Sequence, residues 1–168
     1  MGSVATTLLN GRGYEVHAAT GRPEQSERLR LLGASEIVAR DELSREGRPL
    51  QKERWAGAID TVGGRTLASV LSQVRYGGRV AACGLAGGSD LPTTVLPFIL
   101  RGISLLGIDS VRAPHSLRDR AWACLADELD FAVLDSITTV EPMSAIGSLG
   151  KAILSGEIAG RVVIDVNN

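Results

Sequence analysis

An α/β fold, a doubly wound parallel sheet with helices on both faces, is what this sequence predicts, on three observations. Short β-rich runs alternate with helical patterns along the chain. Two of those runs, 56–62 (AGAIDTV) and 79–84 (RVAACG), are apolar almost throughout, as strands covered on both faces are. Glycine supplies 20 of 168 residues, and the glycines fall at the ends of the apolar runs. Tight strand-to-helix turns need glycine there because it tolerates positive φ and lets a backbone approach a ligand closely. Strand, helix, strand, repeated, leads to parallel pairing through crossover helices.

The elements follow in order. A helix is expected over 3–10, then a strand over 14–20 (YEVHAAT) behind the Gly11-Arg12-Gly13 break. Pro23 suits a first helical position, so a second helix is read over 23–32, ended by Gly33, with a short strand over 36–39. The stretch 41–52 is polar and patternless and reads as a surface connection. Strands over 56–62 and 79–84 flank a helix over 65–74, and a helix over 94–100 precedes a strand over 103–108. Ser116 caps a helix over 116–129; a helix over 144–154 and a strand over 161–166 complete the chain.

Composition narrows the function classes. The formal charge is -1, which leaves no basic field for wrapping nucleic acid or holding an anionic membrane surface. Hydrophobic residues make up 44% and charged residues 22%, a globular balance. No apolar run approaches the ~20 residues of a membrane-spanning helix. Cys83 and Cys124 are too few for a disulfide framework, and a reduced, cytoplasmic setting is the expectation. His17 and His115 have no partner at ligand spacing, so no metal site is expected. Cys83, read as mid-strand, is expected to be an inert core residue, and Asp60, inside an apolar strand, a hydrogen-bonded structural acid. There is no nucleophile elbow, Walker motif or paired-carboxylate constellation.

In an open parallel sheet ligands sit beyond the carboxyl ends of the strands. Thr20-Gly21-Arg22, Val62-Gly63-Gly64, the 84–88 loop and Asp109-Ser110 occupy that edge. Thr20-Gly21-Arg22 says most. Folds that prefer NAD carry an acid there for the ribose 2′-hydroxyl, and that acid would repel a 2′-phosphate. A hydroxyl, a glycine and a guanidinium suit the phosphate instead; the alternative is a surface arginine opening the next helix. The 76–88 stretch (YGGRVAACGLAGG) could line a nicotinamide or be any tight loop. Gly2-Ser3-Val4-Ala5 opens a helix with only Met1 before it. In a dinucleotide-binding fold a central strand and a glycine-rich turn precede that helix, so a fragment lacking its first strand is expected. A cloning remnant or a plain cap is the alternative.

The segments WAGAIDTVGG (55–64), YGGRVAACGLAGG (76–88), LPTTVLPFILRG (91–102) and LLGIDSV (105–111) closely resemble one branch of the medium-chain dehydrogenase/reductase superfamily. That branch is the bacterial NADPH-dependent acrylyl-CoA reductases, also called quinone oxidoreductases. LLGASE at 31–36 and GEIAGRVVIDV at 156–166 extend the likeness. The resemblance implies a Rossmann-like domain over 1–168, with a GroES-like catalytic domain and the first strand absent from this chain. It implies pyrophosphate contacts at Gly2, Ser3, Val4 and Ala5, and contacts of Thr20, Gly21, Arg22 and Arg40 at the adenosine 2′-phosphate. Leu85, Ile99, Ser110 and Arg161 look towards the nicotinamide and the cleft. No catalytic residue carries over, and zinc is not expected in this branch. The implied activity is reduction of an α,β-unsaturated acyl-CoA or a quinone with NADPH, by a homodimer joined through 103–108. A non-catalytic NADP-binding module is the alternative. Without its first strand the sheet must close up, borrow a strand or stay loose.

Overall fold

The computed structural model describes residues 1–168. Helix α1 (Gly2–Gly11) leads into strand β1 (Val16–Thr20). After a single 3₁₀ turn at Pro23–Gln25 come α2 (Ser26–Leu31), β2 (Ala34–Ala39) and the short α3 (Arg40–Ser44). The middle of the chain is β3 (Trp55–Asp60), α4 (Gly64–Gln73), β4 (Val74–Ala82), α5 (Leu96–Arg101) and β5 (Ser104–Gly107). Then follow α6 (His115–Glu128), α7 (Phe131–Ser136), β6 (Thr138–Pro142), α8 (Ile146–Leu154) and β7 (Arg161–Asp165).

Every ladder is parallel, as the alternating pattern requires. The strands form three sheets rather than one: β1-β2, β3-β4-β5 and β6-β7. No ladder joins β1 to β3, so the sheet is divided between them.

The core sits against α4. Leu67, Val70, Leu71 and Val74 recur at helical spacing, and their apolar stripe meets Val80, Ile103, Val38 and Leu43. Leu71, Val74 and Val80 are fully buried. Arg101 fastens the end of α4: its Nη1 donates to the carbonyls of Ser72 (2.7 Å) and Val74 (3.2 Å), and its Nε pairs with Glu53 at 3.3 Å. At the opposite side Arg12 holds Glu128 through two hydrogen bonds of 2.7 Å, tying α1 to α6. Those bonds, with a weaker one from the Cys124 thiol, hold the Glu128 carboxyl down to about 2.

Three readings need correction. The patternless 41–52 stretch contains part of α3, because Leu43 turns inward to the core while its neighbours stay polar. β4 begins at Val74 rather than 79, but its ladder with β3 shifts register between Val74 and Arg79, where Gly77 takes φ +70, so Gly77-Gly78 makes an irregularity within the strand and even pairing starts at Arg79. A Cβ on Gly78 would lie 2.7 Å from the Ala56 carbonyl oxygen, so glycine is what lets β4 approach β3 there. β4 also stops at Ala82, which puts Cys83 just past the strand; it is half-buried, and its Sγ donates to the Asp60 carbonyl at 3.3 Å. The short α7 and β6 carry no sequence signal: β6 ends on Pro142, a strand-breaking residue, and Val140 faces solvent.

Candidate functional site

The carboxyl ends of β1, β2 and β3 and the start of α1 meet at one large cleft of about 1590 Å³. α1 enters it as a bare helix end. Met1 provides no side-chain cap and the first turn holds no acid. Ala5 is the first residue whose N–H bonds back, to the Met1 carbonyl at 3.1 Å, which leaves the amides of Gly2, Ser3 and Val4 without intrahelical partners. Such an end favours an anion through both its N–H groups and its dipole.

At the end of β1 the Thr20 hydroxyl accepts the Arg22 N–H at 3.0 Å, a local turn that sets the backbone of Gly21. Arg22 turns its Nη1 onto the carbonyls of Gly156 and Ile158, both at 2.9 Å. Arg40, the first residue of α3, lies across Gly21: a Cβ there would be 3.2 Å from the guanidinium carbon. Glycine at 21 therefore makes room for a cation, and Arg40's side chain is otherwise exposed and unpaired. No carboxylate stands at the end of β1.

The exit loops of β3 and β4 are fastened to each other. Gly87 N donates to the Val62 carbonyl at 2.7 Å, and Gly63 bridges Gly88. The Asp60 carboxylate, buried, accepts the Gly63 N–H at 2.8 Å, which matches its reading as a structural acid.

Gly2, Ser3, Ala5, Thr20, Arg22 and Arg40 thus line one cleft, with Val4 in the same helical turn and Gly21 beneath Arg40. The structure does not bring the other four to that lining. Leu85 is 66% exposed in the β4 exit loop, and Ile99 is 68% exposed on α5. Ser110 follows β5 and gives its carbonyl to Arg118. Arg161 opens β7, with its N–H on the Ile137 carbonyl at 2.7 Å. Sequence reasoning missed the carbonyls of Gly156 and Ile158 as the seat of Arg22, and no local pattern marks them. No three His, Cys, Asp or Glu side chains gather where they could hold a metal. No helix is long and apolar enough to cross a membrane.

Residues 1–127 match the family described as zinc-binding dehydrogenase. The acrylyl-CoA reductase AcuI of Ruegeria pomeroyi is 53% identical over 168 residues, which cover 99% of this chain and 51% of that protein. The structure of the yhdH oxidoreductase from Salmonella enterica in complex with NADP superposes with a TM-score of 0.95 at 47% identity, covering 98% of this chain and 51% of that one. The Bacillus subtilis protein yhfP, solved with NAD bound, gives 0.93 at 43% identity, again over 98% of this chain and 51% of that one. The chain spans about half the length of the curated relatives it matches.

Proposed function

The chain belongs to the zinc-binding dehydrogenase family, and on that premise we propose that residues 1–168 are the cofactor-binding portion of an NADPH-dependent reductase acting on an α,β-unsaturated acyl-CoA of the acrylyl-CoA kind. The observation that carries the cofactor reading is Arg40 laid across Gly21, an unpaired cation at a strand end that holds no carboxylate. The acceptor rests on the likeness to acrylyl-CoA reductase. The catalytic groups belong to a GroES-like domain outside these residues, and the cytoplasm is the setting.

In this reading each element has one task. The free amides of Gly2, Ser3 and Val4 take pyrophosphate oxygens at the start of α1. Arg40 from above and the unengaged face of the Arg22 guanidinium flank the 2′-phosphate, while Thr20 keeps the intervening backbone turned. The zipped loops after β3 and β4, with Leu85 and Ile99 beyond them, wall the path towards the acceptor. NADPH, when bound, supplies hydride to the activated double bond.

Arg40→Ala is expected to weaken NADPH binding by about tenfold or more, the range for losing a hydrogen bond to a charged group, with NADH nearly unaffected. Calorimetric titration with both cofactors reads this, and equal losses would make Arg40 structural. The reaction itself is read as acrylyl-CoA-dependent loss of NADPH absorbance, with the 168-residue chain and with the chain joined to the preceding half found in its relatives. Turnover is expected only for the longer form. Turnover by neither overturns the reductase reading and favours a binding module.

Assembly is part of the proposal. β5 pairs on one side only, with Leu106 exposed on it and Ile108 exposed just past its end, and a two-fold mate is the commonest way to close such an edge. A dimer is expected by light scattering at micromolar concentration; a monomer there refutes this edge as an interface.

A further inference from the structure

Arg22 is held by a segment far away in the chain. Its Nη1 donates to the carbonyls of Gly156 and Ile158, each at 2.9 Å. We propose, on the NADPH reading of this cleft, that the turn at 156–158, closing α8, is a positioning element for nucleotide choice. Its carbonyls hold the Arg22 guanidinium so that the Nε–Nη2 edge stands ready for the 2′-phosphate.

The donors of the guanidinium divide accordingly. Nη1 carries two N–H groups, and both are spent on the turn, while Nε and Nη2 make no hydrogen bond. Those two nitrogens form the parallel fork that binds a phosphate side-on. Arg22 is half-buried and lines the cleft with Thr20 and Arg40. No carboxylate lies within ion-pair distance of it. Carbonyls therefore fix the guanidinium without neutralising it, and the full positive charge stays available to a dianion. A loose arginine loses rotamer freedom when a phosphate orders it, which weakens binding. Here the protein has ordered the side chain beforehand.

The turn can act as an anchor because it is fixed at both ends. α8 closes in a Schellman motif: the Glu157 N–H bonds to the Ala152 carbonyl at 2.9 Å, and the Gly156 N–H to the Ile153 carbonyl at 3.0 Å. Gly156 takes φ +72, the left-handed position that this motif requires. The carbonyls left over sit at the negative end of the α8 dipole, where a cation is favoured. At the other end the Arg161 N–H bonds to the Ile137 carbonyl at 2.7 Å. A Cβ on Gly160 would collide with that carbonyl oxygen and with the Arg28 guanidinium. Pinned between α8 and β7, the segment has little freedom to follow Arg22. Arg22 follows it.

Gly156→Val tests the tether. Valine is excluded from φ +72, so the turn must rearrange and its carbonyls leave Arg22. By calorimetric titration NADPH is expected to bind about three- to tenfold more weakly, the effect of ordering one long side chain on binding, while NADH changes less than about twofold. Gly156→Asn accepts a left-handed backbone and is expected to keep the parent's preference. In an Arg22→Ala background Gly156→Val is expected to shift NADPH affinity by less than about twofold, because no guanidinium is left to hold. Gly156→Ala, which is less strained, carries the same comparison if the valine variant fails to fold. The tether is refuted if Gly156→Val leaves the ratio of NADPH to NADH affinity unchanged while Arg22→Ala lowers it. It is refuted also if Gly156→Val costs the same with and without Arg22, which makes the turn structural only. Tighter NADPH binding by Gly156→Val would make the carbonyls competitors of the phosphate and overturn the proposal. An unchanged ratio in Arg22→Ala removes the 2′-phosphate reading of Arg22, and the tether with it.

Discussion

Gly63→Ala is expected to destabilise the chain by about 2–5 kcal/mol, a large share of the roughly 5–15 kcal/mol that holds a domain together. Gly63 has φ +70 and ψ -158, a region that only glycine occupies without strain. A Cβ there would stand 2.5 Å from the Gly88 carbonyl oxygen and 3.3 Å from the Leu85 Cα, both backbone atoms that cannot swing aside. Relief would mean parting the two exit loops, breaking the 2.7 Å bond from Gly87 to Val62 and the 2.8 Å bond from Gly63 to buried Asp60. Urea unfolding measures the loss. Gly147→Ala is the control: it lies in α8 with nothing near its would-be Cβ. Alanine there is expected to stabilise by about 0.5–1 kcal/mol, because it restricts the unfolded chain and favours helix. Equal small effects at both sites would show that the loops yield freely.

The second large effect is expected at Leu71. This side chain is fully buried in the cluster that also holds Val74, Val80, Ile103 and Val38, so Leu71→Ala removes its burial and leaves a cavity, together about 2–5 kcal/mol. Leu154→Ala, on a residue 89% exposed, is expected to fall within about 0.5 kcal/mol of the parent. Paired urea curves with unchanged slopes check both. A Leu71→Ala loss below about 1 kcal/mol would mean that this region collapses around the gap.

Much of the fold was legible because its signals are local. Strands β1, β2, β3, β5 and β7 lie within two residues or so of their expected positions, where apolar runs end at glycines. β4 was shortened because Gly77-Gly78 signals a turn; the backbone does depart from the regular ladder there, with Gly77 at φ +70 and Gly78 passing close to Ala56, yet the strand runs on across it. α3 and β6 were missed because one inward leucine, or one edge pairing, decides them, and neither makes a period. The site divides in the same way. Thr20 and the α1 start, read from the rule that ligands gather at strand ends, do line one cleft with Arg40, and Gly21 lies beside Arg40. That Arg22 would spend two of its hydrogen bonds on Gly156 and Ile158 depends on a contact between residues 134 positions apart, which no spacing encodes.

The placement of Arg40 over Gly21 has a consequence for how this lineage can change. The cation and the glycine that admits it both lie outside the packed cluster around Leu71, and neither lends a side chain to it. Exchanging them would leave the burial of the scaffold untouched, so on the proposed reading nucleotide preference is a trait separable from the packing of the core.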